Sequence, residues 1–468
     1  PAADGTSLAV LKAEKQAFRA AAAKAGVKLT ERYAFDTLWN GFSIQIDPSQ
    51  VAALSRIPGV KAVYPVETIP MPETAAVEPD LFTSIAMTGA DIVQNELGFT
   101  GKGIKVAVMD TGVDYDHPDL GGCFGPGCRV AYGYDLVGDA FNADDTSASY
   151  NPVPVPDPDP DDCYGHGSHV AGIIGASGTV TGMAPEVTFG SYRVFGCAGS
   201  TTSDIMLAAM EMALADGMQV LNMSIGSSFQ WPQYPTAVAA DKLVNAGIVV
   251  VASIGNSGAS GLYSAGAPGL GSKVIGVASY DNSHVMLNTF TVTPAGLLIG
   301  YTNATAAPPA PLAGSLPLAK SGTPTTTNDA CLVNSVSPFT PGQFAGQAVL
   351  IRRGTCGFYE KALNAQNAGA AAVVLYNNAA GRINPTVAGA VPITIPVVAV
   401  SDTEGVAISN ALDVEPQTLN WSDQLASFPS PTGGLISSFS SYGLSPDLAL
   451  KPDIGAPGGN IFSTYPLE

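Results

Sequence analysis

The sequence predicts an α/β protein: a parallel-sheet domain, preceded by a small α+β domain and interrupted by a β-rich insertion. Three observations lead there. From about residue 81 to 285, apolar strand-like runs alternate with helical patterns, as expected for a parallel sheet with helices on both faces. Residues 1 to about 75 set two helical patterns among alternating strand patterns. From about 290 to 430 the chain becomes rich in Thr, Ala and Pro with short strands, then returns to Gly/Pro-punctuated strands. At roughly 150 residues per domain, 468 residues also suggest about three domains. The expected divisions are 1–75, 76–290, 291–430 and 431–468, the last continuing the second.

In the first domain, Leu8–Ala25 (LAVLKAEKQAFRAAAAKA) spaces apolar residues at a helical period. Leu29–Phe35 and Gly41–Asp47 alternate as strands do, Pro48–Ile57 is expected to be a short helix, and Val60–Val66 a final strand. Glu67–Asp80, rich in Pro and Glu, reads as a linker that holds the domain junction. In the second domain, strands are expected at Lys105–Asp110, Val187–Phe195, Val220–Ile225, Ile248–Ile254 and Lys273–Ser279. Helices are expected at Ser168–Gly175, Ser203–Asp216 and Pro235–Ala246. Tyr150–Asp162 (YNPVPVPDPDPDD) is expected to be a stiff exposed loop, because its prolines break the ligand spacing of calcium loops. The insertion carries a strand and turn at Ala345–Phe358, a helix at Tyr359–Ala368 and a buried strand at Ala371–Asn378, with no evident nucleophile–base pair.

Bulk properties narrow the function. Apolar residues make up 46% of the chain and charged ones 13%, enough for large cores. No apolar run approaches the ~18 residues of a membrane-spanning helix. A net charge of −19 argues against nucleic acid or an anionic membrane as partner and suits solubility in a secreted protein, while the even cysteine count, with little Lys and much Gly and Pro, favours an oxidising compartment. The six cysteines form no CxxC pair, and with four histidines a zinc site is not expected. Six cysteines allow 15 pairings. The pairing expected is the one within each presumed domain: Cys123–Cys128, Cys163–Cys197 and Cys331–Cys356.

The chemistry centres on CYGHGSHVAGIIG, residues 163–175, where His166 stands between two glycines at the start of an apolar helix. Upstream, VAVMDTGVD is a buried-strand pattern ending on Asp110. In parallel sheets ligands bind at the carboxyl ends of strands, and Asp110, Ser224 and Asn256 all lie at or just past such ends. An acid to orient a histidine, a histidine to take a proton, and an amide donor for a developing oxyanion make an acyl-transfer set. His169 is expected to be a packed, hydrogen-bonded residue, and His117 and Asp119 to stay on the surface.

Three segments taken together, VAVMDTGVDYDHPDL, GHGSHVAG, and NMSIG with VVVASIGNSG, resemble the subtilisin-like serine proteases, and KPDIGAPGGN resembles the run leading to that family's nucleophile. The resemblance implies a serine endopeptidase acting on proteins and peptides. Asp110 would orient His166, His166 would be general base and then acid, and Asn256 would donate to the oxyanion. Ser224, Ile225 and Gly226, with Ser253, Ile254 and Gly255, would form the substrate-binding strand and specificity-pocket wall. It further implies that residues 1–75 are a propeptide that inhibits the enzyme, and that 291–430 is a protease-associated domain, carried by GTCGFYEK and QNAGA. The family's calcium loop after the catalytic helix is not evident in SHVAGIIGASGTVTGMA, so no cofactor or metal is expected, calcium being compatible but unsupported by a clear loop.

The family's Gly-Thr-Ser-Met stretch does not occur; the Gly5-Thr6-Ser7 run opens a charged helix and is not expected to be the nucleophile. The serine is therefore expected outside these residues, on a separate C-terminal polypeptide or beyond where the sequence stops. The alternative is a non-catalytic or truncated relative that acts in binding. Sequons at Asn303 and Asn420 are expected glycan sites, while Asn222 lies in a core strand and is expected to stay unmodified.

Overall fold

A computed structural model describes residues 1–72, 81–459, 461 and 463–467, leaving out the Phe82 side chain. Most of the expected junction segment, residues 73–80, lies outside the described residues, as do Asn460 at the end of the KPDIGAPGGN run and Glu468. Two compact units emerge, one of the described residues up to Asp281 and from Leu435 onward, the other Asn282–Gly434.

The first unit opens with helix α1 (Leu8–Lys24), capped by Ser7, and an antiparallel pair of strands, β1 (Leu29–Phe35) and β2 (Gly41–Ile46). The Pro48–Ile57 helix is a short turn running into the single-turn α2 (Val51–Leu54). The strand expected at Val60–Val66 is absent: Val63, Tyr64 and Val66 are exposed, and pairing begins at β3 (Thr68–Pro70). Helices α3 (Leu81–Thr88) and α4 (Ala90–Asn95) precede β4 (Lys105–Asp110), which is buried from Val106 onward, as a central parallel strand must be.

The chain then alternates: β5 (Val130–Asp135), α5 (His166–Gly175), β6 (Thr188–Arg193), β7 (Ser200–Thr202), α6 (Ser203–Ala215), β8 (Val220–Met223), β9 (Ser227–Ser228), α7 (Pro235–Asn245), β10 (Val249–Ser253), β11 (Gly266–Ala267) and β12 (Ile275–Asp281).

The second unit runs through β13 (His284–Thr293), β14 (Leu297–Asn303), β15 (Gly314–Lys320), β16 (Ala348–Arg352), α8 (Phe358–Asn367), β17 (Ala372–Tyr376), β18 (Val397–Val400), α9 (Asp402–Val414) and β19 (Thr418–Pro429). These strands close a barrel in the order β13-β14-β18-β17-β16-β15-β19. Its interior packs Phe290, Tyr301 and Trp421 edge to face. A separate apolar layer joins Ala362 and Ala365 of α8 to Val349, Ile351 and Val373.

The chain returns to the first unit with β20 (Ile454–Gly459), giving a seven-stranded parallel sheet ordered β20-β12-β10-β8-β4-β6-β5. Entry to and exit from the insertion meet where Asp281 N donates to Leu435 O at 2.9 Å. The main core lies between this sheet and α6 and α7, and Phe35, Leu38 and Ile69 of the N-terminal domain join it. All three expected disulfides form.

Candidate active site

Asp110 ends β4 on the carboxyl edge of the sheet and is fully buried. One carboxylate oxygen, Oδ1, accepts from its neighbour Thr111 N at 2.8 Å and meets His166 Nδ1 at 2.6 Å. A carboxylate only accepts, so Nδ1 carries the proton and Nε2 is left as the basic nitrogen. Burial works against charging this imidazole; the charge and hydrogen bond of Asp110, aided by the charge of Asp162, outweigh it and raise the His166 pKa above its ordinary value.

The helix that carries His166 is placed by a second carboxylate that sequence reasoning missed. Asp162 is buried and accepts from Thr111 Oγ1, Tyr164 N, Gly165 N, Ser168 N and Ser168 Oγ, at 2.7 to 2.9 Å. Thr111 Oγ1 in turn accepts from Gly167 N at 2.8 Å. One carboxylate thus ties the turn after Asp110 to the first turn of α5 and satisfies amides that a helix start leaves open. Its only signal in sequence was the end of an Asp-Pro run, which reads as solvated charge.

Glycine is required at Gly167, where a Cβ would overlap Gly112 O and crowd Asp110 Cβ at 3.1 Å. The close approach of α5 to the β4 turn therefore depends on a missing side chain. Cys163–Cys197 ties the turn before His166 to the loop after β6.

The remaining candidates fall into place around this pair. His169 is packed, its Nε2 3.0 Å from Ile461 O, and burial lowers its pKa. His117 is half-buried, its Nδ1 accepting from Asp119 N at 3.1 Å. The surface position expected for Asp119 is wrong: it is buried, and its carboxylate accepts from Thr179 N and Val180 N at 3.0 and 2.7 Å, closing the short loop after α5. Beside it, the Arg129 guanidinium donates to four backbone carbonyls, Asp119, Val187, Gly175 and Pro185.

Ser224, Ile225 and Gly226 follow β8 outside any strand; Ser253 ends β10, and Ile254, Gly255 and Asn256 form the turn after it. The side chains of Ile225 and Ile254 are buried, Ile254 in a small cluster with Ala265, Leu270 and Ala278, so neither lines an open pocket. Asn256 is exposed, and among the described residues no protein group takes its carboxamide. Ser7 caps α1, accepting from Val10 N, in keeping with a structural role.

Contacts bring the N-terminal domain onto this unit. Strand β3 pairs antiparallel with β7, Ile69 opposite Thr201. Glu211 of α6 accepts from Thr37 N and Leu38 N at 3.0 and 2.8 Å, Glu67 N donates to Ser203 Oγ, and Lys242 pairs with Asp4.

Comparison with known proteins agrees with this geometry. The model of the subtilase family matches residues 101–467, and that of peptidase inhibitor I9 matches residues 9–81. The chain is 33% identical over 448 residues to the minor extracellular protease Vpr of Bacillus subtilis, covering 93% of this chain and 51% of that protein. It is 28% identical to the PI-type proteinase of Lactococcus lactis subsp. cremoris, covering 91% of this chain and 24% of that one. Similarity to the subtilisin-like protease SBT1.7 of Arabidopsis thaliana is 27%, over 92% of this chain and 60% of the plant protein. The chain spans about half the length of the Bacillus relative and about a quarter of the Lactococcus one. With the family model covering most of its residues and the parallel sheet in place, the chain belongs to the subtilases.

Proposed function

We propose that the protein is a secreted serine endopeptidase, made as a precursor, whose Asp110 and His166 work with a serine outside residues 1–468. The observation that carries this is the 2.6 Å contact between Asp110 Oδ1 and His166 Nδ1 at the carboxyl edge of a subtilase sheet. His166 Nε2 takes the proton of the serine hydroxyl as its oxygen bonds to the scissile carbonyl carbon. The same proton then passes to the leaving amine as the peptide C–N bond breaks, and water repeats the cycle to release the acyl group. Asp110 holds the ring and stabilises the imidazolium, and Asn256 donates its carboxamide to the carbonyl oxygen as that oxygen becomes negative. Extracellular proteases among the relatives support secretion.

An extended peptide would lie along Ser224–Gly226 and Ser253–Gly255, held by backbone hydrogen bonds. The N-terminal domain acts as inhibitor: β3 already adds a strand beside β7, as a bound peptide would. The barrel is the protease-associated domain. We assign no calcium to the loop after α5, because its Pro185 and Val187 carbonyls, with those of Gly175 at the end of α5 and of Asp119, already accept from Arg129. Asn303, exposed at the end of β14, and Asn420 on β19 are the glycan sites, and Asn222, on the central strand β8 of the parallel sheet, stays unmodified.

An active-site serine reagent on the full-length protein tests the reading. One labelled serine is expected, with labelling lost in His166→Ala; a native protein in which no serine is labelled points to a non-catalytic binding role.

A further inference from the structure

We propose that Ser441, a residue far from the Asp110–His166 pair in sequence, sets the aim of Asn256 and so acts as a positioning residue for the oxyanion donor; this rests on the protease reading above. Ser441 is fully buried and belongs to the segment that follows the insertion. It grips the turn on both sides of Asn256. Its N–H donates to Gly255 O at 2.8 Å, and its Oγ accepts from Ser257 N at 3.0 Å. Two residues earlier in the same segment, Phe439 O accepts from Gly258 N at 2.9 Å. The turn is also held by Ser228, whose Oγ lies 2.9 Å from Ser257 Oγ.

Backbone geometry makes this grip specific. Gly255 has φ +115°, in the region that disfavours side chains, and a Cβ there would sit 2.9 Å from Ser441 Oγ and 3.2 Å from Ser228 Oγ. The turn is thus shaped to fit against Ser441, while the Asn256 side chain is left free and exposed. An amide donor contributes to catalysis only if it points at the place where negative charge develops, and a loosened turn spreads that aim. Fixing the residues before and after Asn256 removes backbone freedom that its own side chain cannot remove.

Steady-state kinetics of the full-length protease test the assignment. Ser441→Ala removes the acceptor for Ser257 N and keeps the Ser441 N–H; kcat is expected to fall about tenfold with KM within twofold. In an Asn256→Ala background, the same change is expected to alter kcat by less than twofold, because no donor is left to aim. Ser441→Cys, close in shape with a weaker acceptor, gives an intermediate kcat and covers the case in which the alanine variant does not fold. Ser437→Ala is the control: it removes a buried hydroxyl bonded to Asp281 and Ser279 but makes no contact with the turn, and it leaves kcat unchanged.

If Asn256→Ala itself keeps full kcat, the oxyanion reading fails and takes this assignment with it. If Asn256→Ala is impaired while Ser441→Ala is not, or if Ser441→Ala costs as much in the Asn256→Ala background, the oxyanion reading stands and the role of Ser441 is overturned.

Discussion

The docking of the N-terminal domain can be broken at one carboxylate. Glu211 presents one oxygen to two backbone N–H groups of that domain, and Leu38, which owns one of them, is fully buried. Glu211→Ala leaves both donors without a partner. A buried unsatisfied amide costs about 1–3 kcal/mol, and the half-buried Thr37 amide costs less, so the pair amounts to about 2–4 kcal/mol. Inhibition by the N-terminal domain, added to the mature protease as a separate polypeptide, should therefore weaken roughly 30- to 1,000-fold. Glu211→Gln keeps the accepting oxygen and should stay within about threefold.

The pH dependence has a definite sign. Burial raises the Glu211 pKa, against the lowering effect of the Leu38, Thr37 and Trp39 amides. A raised carboxyl pKa contributes stability that is full below the ordinary glutamate value of about 4.3 and fades as pH rises through the raised one, so docking is expected to weaken as pH rises. Glu211→Gln should flatten that slope. An inhibition constant for Glu211→Ala within threefold of the parent would refute the reasoning.

The other expectations concern the site and its frame. Because the His166 pKa is raised, the acid limb of kcat/KM should lie above pH ~6.5; Asp162→Asn removes one raising charge and should move it to lower pH, measured as a pH–rate profile. Gly167→Ala forces α5 away from the β4 turn and should abolish activity at full expression, checked by circular dichroism beside the assay. Arg129→Met strands four carbonyls and should destabilise the protein by about 2–4 kcal/mol, while a calcium chelator leaves the parent's melting temperature unchanged; a chelator-induced drop would return calcium to that loop.

What was legible in sequence was whatever one residue run could specify alone. β4 is apolar from Val106 to Met109 and ends on Asp110, and α5 begins at a glycine-flanked histidine, so both ends of the Asp110–His166 contact announced themselves. β5 escaped notice because Gly133 interrupts its pattern; there φ is +139° and a Cβ would overlap the Ser191 backbone. Val60–Val66 misled for the opposite reason: its apolar spacing suits a strand, yet it stays largely exposed, and the pairing goes to Thr68–Pro70, whose partner lies at Ser200–Thr202. Asp162 and Ser441 could not be recognised, since their roles consist of bonds to residues distant in sequence or to a turn whose shape the sequence does not state.

The hydrogen bond between Asp281 and Leu435 has a consequence for modularity. The barrel is spliced into its host at two points that already touch, so the host sees it as a loop with closed ends. The entropy of closing a loop grows only with the logarithm of its length, each doubling costing about 0.6 kcal/mol. Accommodating a whole folded module there therefore costs the sheet little more than a short turn would. The same junction is the natural place to exchange the barrel for a few residues, or for another domain with neighbouring ends, while β12 and β20 keep their register.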